Sequence, residues 1–203
     1  MRQIYYIGGS PCCGKSTVAE IISKKYNFQY FKVDDLLEVY INKGAKLRKP
    51  ILSKIAEMSL DEIWLREPEV QNLEEQEIYN EMIEFILEDL NNLNSEVPII
   101  TEGAAFLPKL MGEIEVGKSN YICIVPTNEF QYEMYSKRPW VMEYLEGCSN
   151  KELAFENWMK RDYLFAESVL KDAKKLGYPT MVVDGKRSID ENLDIIEEVF
   201  KIK

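Results

Sequence analysis

Five short segments of the chain are apolar almost throughout, and the stretches between them carry apolar residues at helical spacing. The segments span residues 3–8, 28–33, 98–102, 120–125 and 180–183. Their richness in β-branched and aromatic residues predicts buried strands. Strands that are apolar on both faces need cover on both faces. The pattern therefore predicts an α/β protein with a five-stranded parallel sheet sandwiched by helices.

The longest helical pattern covers about residues 72–94. One of its faces carries Ile78, Met82, Phe85, Ile86, Leu90 and Leu93. Three S-x-x-E capping boxes predict helix starts elsewhere. They pair Ser59 with Glu62, Ser149 with Glu152, and Ser188 with Glu191.

A glycine-rich turn separates the first predicted strand from the first helix. It reads Gly9-Ser10-Pro11-Cys12-Cys13-Gly14-Lys15-Ser16-Thr17 and fits the P-loop pattern G-x-x-x-x-G-K-S. The glycines let backbone N–H groups point at phosphate oxygens, and the helix N-terminus adds a positive dipole end. Lys15 can reach the β- and γ-phosphates, and the Ser16 hydroxyl can bind Mg²⁺. We predict a nucleotide site formed by Gly9, Pro11, Cys12, Cys13, Gly14, Lys15, Ser16 and Thr17.

Two connections are longer than a simple crossover between strands. One runs from about residue 36 to 94, and the other from about 127 to 178. In such sheets ligands bind beyond the carboxyl ends of the strands, and long insertions there hold a second site or a closing lid. We predict one domain over residues 1–203, with an acceptor-site insertion at about 36–94 and a lid at about 138–161.

The charge balance narrows the choice of partners. The chain has 25 Lys and Arg against 35 Asp and Glu, a net charge of −10, which disfavours a nucleic-acid partner. The acidic runs 74–77 and 197–198 are interpreted as solvated helix faces. The sequence has no histidine, which excludes imidazole bases and histidine-ligated metals.

Hydropathy and cysteine spacing suggest a cytoplasmic protein. No apolar run approaches the roughly 20 residues of a membrane helix, and the chain enters a strand without a signal peptide, so no membrane partner is expected. The four cysteines match no zinc-site spacing. Cys12 and Cys13 are interpreted as small residues that fit a tight loop. We expect a monomer or a homodimer.

With its P-loop near the N-terminus, five strands and two insertions, the chain resembles the P-loop kinases of small molecules. That group contains adenylate, shikimate and gluconate kinases and chloramphenicol phosphotransferase. The resemblance covers the whole chain in architecture and is specific in sequence only at the P-loop. It implies a P-loop NTPase fold that uses ATP and Mg²⁺ to phosphorylate a hydroxyl or phosphate of a small molecule. The D-G-[FY]-P-R sequence of adenylate kinases is absent, which counts against that activity.

The residues after the second strand supply a candidate base. The chain reads Lys32-Val33-Asp34-Asp35-Leu36 there. In many relatives that phosphorylate a hydroxyl, an Asp at this point faces the acceptor, and a carboxylate near the γ-phosphate can accept its proton. We favour Asp34, with Asp35 as the alternative. The competing interpretation is that the pair caps the next helix.

Three further regions receive roles from the resemblance. Glu102, at the end of the third strand, stands where relatives hold the Mg²⁺ shell, commonly with an Asp; it could instead contact substrate or cap a helix. Arg138 and Arg161 flank the predicted lid, where relatives carry arginines that offset phosphoryl charge. Each could instead form a surface ion pair. Gly185 lies in the turn that packs against adenine in relatives.

Other functions stay open at this level. A GTPase switch is disfavoured because N-K-x-D and D-x-x-G sequences are absent. A nucleotide-gated module without turnover is a second alternative, and a polynucleotide kinase is disfavoured by charge. For the acceptor, Arg48 and Arg66 could clamp an anion and Trp64 could stack on a ring. Equally, these are surface arginines and a core tryptophan.

Overall fold

The computed structural model describes residues 3–93 and 96–203 and contains a five-stranded parallel sheet. The strands are β1 (Ile4–Gly9), β2 (Gln29–Lys32), β3 (Ile99–Glu102), β4 (Tyr121–Pro126) and β5 (Thr180–Val183). Each lies within one residue of its predicted bounds. The spatial order is β2-β3-β1-β4-β5, so the predicted fold class is confirmed.

The register brings the functional turns to one edge of the sheet. Ile7 in β1 lies opposite Glu102 in β3, and Gly9 lies opposite Ile124 in β4. Lys32, the last residue of β2, also pairs with Glu102. Since all five strands are parallel, the turns that follow β1, β2 and β3 emerge side by side.

Ten α-helices are found among the described residues, together with 3₁₀ turns at Asp34–Leu36 and Leu145–Gly147. The helices are α1 (Lys15–Tyr26), α2 (Leu37–Lys46), α3 (Pro50–Glu57), α4 (Leu60–Trp64), α5 (Pro68–Asn92), α6 (Pro108–Glu113), α7 (Asn128–Ser136), α8 (Pro139–Tyr144), α9 (Lys151–Leu176) and α10 (Ile189–Phe200). Helix α5 begins four residues before its predicted start, because Pro68 suits a first helical position. Asn94, its predicted end, lies outside the described residues.

Two of the three predicted capping boxes are confirmed. Ser59 with Glu62 starts α4, and Ser188 with Glu191 starts α10. The third prediction is wrong because α9 is capped by Asn150, whose side chain accepts a hydrogen bond from Leu153 N. The Ser149 N–H donates instead to Asp61 Oδ1 at 2.7 Å, which ties α9 to α4.

Alternate side chains of each strand serve two separate cores. Tyr6 in β1 belongs to the core under α5 and α9, whereas its neighbours Tyr5 and Ile7 pack with α1 and α10. A third cluster joins the two long connections, with Trp64 from the first and Trp158 from the second among its buried members. Among the described helices none has the length and hydropathy of a membrane span.

The interpretation of the acidic runs as solvated faces is wrong for two residues. Glu75 is 7% exposed and Glu197 is fully buried. Glu197 accepts a hydrogen bond from Lys25 at 2.6 Å, which joins α10 to α1. Glu75 lies in the cleft described next.

Candidate active site

The loop between β1 and α1 has the backbone shape that phosphate binding requires. Gly9 has a φ of 112°, and a Cβ there would lie 1.9 Å from the Ile124 carbonyl oxygen. Gly14 has a φ of 80° with nothing near its Cβ position, so its conformation and not crowding favours glycine. Cys12 also adopts a positive φ, of 62°. The loop therefore curls against β4 and opens into the N-terminus of α1.

Hydrogen bonds hold this loop to the sheet. Ser10 N donates to the Ile124 carbonyl at 3.1 Å. Cys13 Sγ and Lys15 Nζ both donate to the Ser10 carbonyl, at 3.0 and 2.7 Å. Burial raises the pKa of both loop thiols, that of Cys12 to about 11, so neither carries a reactive thiolate. These contacts support the interpretation of Cys12 and Cys13 as small loop residues.

Lys15 carries a buried positive charge at the base of the loop. Burial lowers its pKa, but the nearby Cys13, Asp34 and Glu102 outweigh that effect and the pKa is raised. The ammonium group is therefore charged at neutral pH, surrounded by the groups that the resemblance assigns to catalysis.

The Ser16 and Glu102 side chains lie within hydrogen-bond distance of each other. The Ser16 hydroxyl donates to Glu102 Oε1 at 3.0 Å, and the Tyr30 hydroxyl donates to the same oxygen at 2.9 Å. Glu102 is fully buried, and its Oε2 has no hydrogen-bond partner among the described residues. Burial raises the pKa of Glu102. Helix α6 is capped by Leu107, so Glu102 does not serve as that cap.

The two aspartates after β2 differ in their surroundings. Asp35 pairs with Lys32 at 2.6 Å. Asp34 Oδ1 lies against Gly103, where an added Cβ would be 3.2 Å away. Its charge raises the pKa values of Lys15, Glu75 and Glu102. Neither aspartate caps α2, which has Leu36 at its N-cap and no side-chain cap bond.

The two predicted lid arginines occupy different positions. Arg138 is half-buried at the start of α8, with its guanidinium carbon 5.5 Å from the centre of the Tyr135 ring. Its charge lowers the pKa of the Cys12 thiol, which places it close to the phosphate loop. Arg161 lies inside α9, ion-paired with Glu75 at 3.0 Å and with Asp162 at 2.7 Å.

These groups line one cleft of about 670 Å³. It extends from Pro11 and Ser16 of the loop, past Asp34, to Arg138 and Arg161. The rest of the cleft is lined by apolar residues of α2, α3 and α5 and by an aromatic group. The aromatic lining residues are Trp64, Tyr79, Tyr135, Trp140, Tyr144 and Trp158. The cleft is thus large enough for a second ligand beside a nucleotide phosphate.

Some residues predicted for the acceptor or adenine site lie elsewhere or have other partners. Arg48 is exposed after α2 and is not among the residues that line the cleft, while Arg66 lines it but is hydrogen-bonded to Glu74. An arginine clamp for an anion is therefore not formed. Gly185 has a φ of 79° and lies against the Phe130 ring. Trp64 is buried and stacks on Trp158, with ring centroids 4.4 Å apart.

Sequence reasoning missed three polar residues of the site. Tyr30 fixes the Glu102 carboxylate from the neighbouring strand. Glu75 accepts a hydrogen bond from Tyr79 at 2.8 Å, and Asp162 accepts one from Tyr135 at 2.8 Å. The sequence signal available for Glu75 was its helical spacing from apolar residues. Among the described residues no three Cys, Asp or Glu side chains group as a metal cluster.

Comparisons with known proteins agree with this geometry. A model of the ATPase family associated with various cellular activities (AAA) matches residues 5–133, more than half of the 203 residues. A gluconokinase structure from Sinorhizobium meliloti 1021 is 12% identical with a TM-score of 0.50, covering 100% of this chain and 94% of that one. TT1252 from Thermus thermophilus is 16% identical with a TM-score of 0.53, covering 99% and 97%. These likenesses confirm the P-loop fold shared with small-molecule kinases. No protein of curated function matches the chain by sequence.

Proposed function

The chain belongs to the ATPase family associated with various cellular activities, and from that premise we propose that it is an ATP-dependent kinase acting on a small-molecule hydroxyl. The observation that carries the proposal is the cleft that joins the phosphate loop to an aromatic-lined cavity, with Asp34 where the two meet. Hydrolysis alone would need room for water only. A cavity of this size beside the γ-phosphate position supports a second substrate.

In this proposal the acceptor hydroxyl attacks the γ-phosphorus. A bond forms between the acceptor oxygen and phosphorus, the bond from phosphorus to the β–γ bridging oxygen breaks, and ADP leaves with that electron pair. Asp34 orients the hydroxyl and accepts its proton. Lys15 and the loop N–H groups offset the charge that builds up on the phosphoryl oxygens.

Ser16 and Glu102 fit a magnesium ion that accompanies the nucleotide. A serine hydroxyl and a carboxylate are oxygen donors of the kind Mg²⁺ prefers, and the buried Glu102 Oε2 has no hydrogen-bond partner among the described atoms. When bound, the ion would neutralise phosphate charge. Tyr30 keeps the Glu102 carboxylate in place for either direct contact or contact through water.

The two arginines receive separate roles. Arg138 lies near the phosphate loop, and its guanidinium group is the proposed partner of the transferring phosphoryl group. Arg161 is held between Glu75 and Asp162, so it acts as a positioning residue that fixes the cleft wall. The proposed cofactor role of Gly185 is limited to the adenine end of the nucleotide.

The decisive test removes the cation at the base of the loop. We expect Lys15→Ala to weaken Mg-ATP binding and to lower transfer by orders of magnitude, because phosphoryl transfer depends on electrostatic stabilisation. ADP release would be followed while nucleosides, sugars and amino alcohols are supplied in turn. Lys24→Ala is the matched control, since Lys24 is an exposed lysine of the same helix.

Each outcome of that screen separates the candidate functions. Acceptor-stimulated ADP release that Lys15→Ala abolishes supports the kinase. Acceptor-independent release would favour an ATPase without transfer, and tight ATP binding without any release would favour a regulatory module. Comparable or tighter binding of GTP would revive the switch hypothesis. Unchanged turnover in Lys15→Ala would contradict the P-loop assignment itself.

A further inference from the structure

One wall of the acceptor half of the cleft is aromatic and open. Trp140 is 49% exposed and Tyr144 is 46% exposed, and both line the cleft. Their ring centroids lie 6.1 and 6.0 Å from that of the buried Trp158, which supports them from behind. Two supported rings with free surface provide a preformed face for a flat or cationic group.

When Glu75 and Asp162 are both ionised, the buried charges beside this wall sum to a negative value. Arg161 pairs with Glu75 and with Asp162, so two carboxylates share one guanidinium group. Glu75 lines the cleft, and its Oε2 makes no hydrogen bond among the described residues although Arg161 lies 3.0 Å away. Asp162 is fully buried. The Tyr79 and Tyr135 hydroxyls each donate one hydrogen bond to these carboxylates, and the negative charge that remains favours a nearby cation.

Two more of the cationic side chains that line the cleft already have acidic partners. Lys32 pairs with Asp35, and Arg66 hydrogen-bonds to Glu74. Arg138 forms no ion pair among the described residues; its guanidinium lies over the Tyr135 ring, and its charge also acts on Cys12 of the phosphate loop. Within the described part of the chain, Arg138 is therefore the one cation of the cleft without an acidic partner, and the proposed transfer already uses it for the phosphoryl group.

We propose that the acceptor is a hydroxyl compound that carries a protonated amine beside an apolar or aromatic ring, with Glu75 attracting the amine and Trp140 and Tyr144 covering the ring. This inference rests on the proposed kinase function, since it names the substrate class of the same site. An ammonium group near Glu75 would compensate the excess buried charge and face the aromatic rings. A hydroxy acid would place a second anion next to Glu75.

Three probes with one scaffold test this inference on the full chain. 2-Amino-1-phenylethanol, 1-phenyl-1,2-ethanediol and mandelate share a benzylic hydroxyl and differ in carrying a cation, a neutral group or an anion. Ligand-observed NMR titration without nucleotide measures binding independently of transfer. We expect the amine to bind at least about tenfold more tightly than the diol, and mandelate to bind more weakly than the diol.

Variants then locate the selectivity. Glu75→Gln should remove most of the amine's advantage over the diol, and Trp140→Ala should weaken the amine and the diol alike, because both carry the ring that Trp140 covers. Glu84→Gln is the matched control, because Glu84 lies on the same helix and pairs with Lys49 outside the cleft. If Glu75→Gln does not fold, the order of the three probes in the parent chain and the Trp140→Ala result decide.

The inference is overturned if mandelate binds the parent chain as tightly as the amine. It is also overturned if folded Glu75→Gln keeps the full preference, or if Trp140→Ala leaves the binding of the amine and the diol unchanged. ADP release with the same probes is a separate measurement. Selective binding of the amine without ADP release would reject the kinase but keep the cationic site. Transfer to mandelate would support the kinase but reject the cationic site.

Discussion

At the residue scale, Asp34 and Asp35 are adjacent in sequence, but their carboxylates have different surroundings. Asp35 lines the cleft and is paired with Lys32 at 2.6 Å. Asp34 lies against Gly103, beside the turn that follows Glu102, and its charge acts on Lys15. Both aspartates line the cleft, but Asp34 is the one whose charge acts on the lysine of the loop, while Asp35 is paired with Lys32.

We expect Asp34→Asn to lower phosphoryl transfer by about 10²–10⁴-fold while ATP affinity stays nearly intact, since the amide keeps the shape but removes the base. Single-turnover transfer and nucleotide titration measure the two effects separately. Asp35→Asn is the matched control and should matter less. Full transfer in both variants would place the base elsewhere, and a parallel loss of ATP affinity would assign Asp34 to the metal shell.

Glu75 is a second residue whose environment sets its chemistry. Burial raises its pKa to about 7, against the opposing effect of Arg161. The charges of Asp162 and Asp34 raise the pKa further, while the hydrogen bond from Tyr79 lowers it. The folded state thus binds a proton at Glu75 more tightly than the unfolded chain does, whose carboxyl keeps an ordinary pKa near 4.5.

The consequence is a defined pH dependence of stability. A raised carboxyl pKa stabilises the folded state fully below about pH 4.5, and this contribution is lost as pH rises through about 7. Between these limits the free energy of unfolding should fall by roughly 3 kcal/mol relative to Glu75→Gln, which has no proton to lose. Urea unfolding of both proteins from pH 4.5 to 8 measures this difference. Parallel pH profiles would contradict the raised pKa.

Residue roles could be predicted from the sequence only where a pattern constrains them. The P-loop pattern constrains Gly9, Lys15 and Ser16, and all three lie where β1 passes into α1. Glu75 was assigned to a solvated face because it lies in an acidic run. Its spacing from Tyr79 and Met82 places Glu75 on the buried face of α5. The acidic run predicts a solvated face, so the two sequence signals conflict at this residue.

At the scale of elements, strands were predicted closely and helix starts less so. A buried parallel strand leaves a continuous apolar run, which the sequence shows directly. Helix starts depend on which of several adjacent polar residues bonds the free N–H groups. At α9 both Ser149 and Asn150 were available, and the contact between Ser149 and Asp61 left the cap to Asn150.

Because Asn150 caps α9, we predict unequal losses of stability from mutations at the starts of α9 and α10. We expect Asn150→Ala to cost about 1 kcal/mol of stability, since it removes the cap of α9. Glu152→Ala should stay within about 0.5 kcal/mol, whereas Glu191→Ala should cost more because its carboxylate accepts from Ser188 N at 2.7 Å. Thermal or urea unfolding compares the variants. A larger cost at Glu152 than at Glu191 would restore the capping box at Ser149.

At the scale of the whole molecule, the two long connections meet over the cleft. Asn157 Nδ2 donates to the carbonyls of Trp64 and Arg66, at 3.0 and 3.2 Å. Helix α9 continues into the main core, so α8 and the following turn, residues 139–147, are the part of the predicted lid outside that core, with Val141 and Leu145 fully buried in the third cluster. Pro139 begins this piece and Gly147 ends it.

We expect hydrogen exchange of residues 139–147 to slow when a non-hydrolysable ATP analogue binds, because Arg138 would be drawn to the phosphates. Exchange in α10 serves as the internal control, since that helix packs against the opposite face of the sheet. Equal exchange across residues 139–147 with and without the analogue would count against closure.

The phosphate loop is also supported from the acceptor side. Ser10 is fully buried, and its hydroxyl donates to the Asp162 carbonyl at 3.4 Å. Asp162 is the same residue that shares Arg161 with Glu75. A change of acceptor made through α9 would therefore disturb the nucleotide site as well. Natural variation in substrate choice is better accommodated by α8, whose aromatic side chains can change while the loop keeps its support.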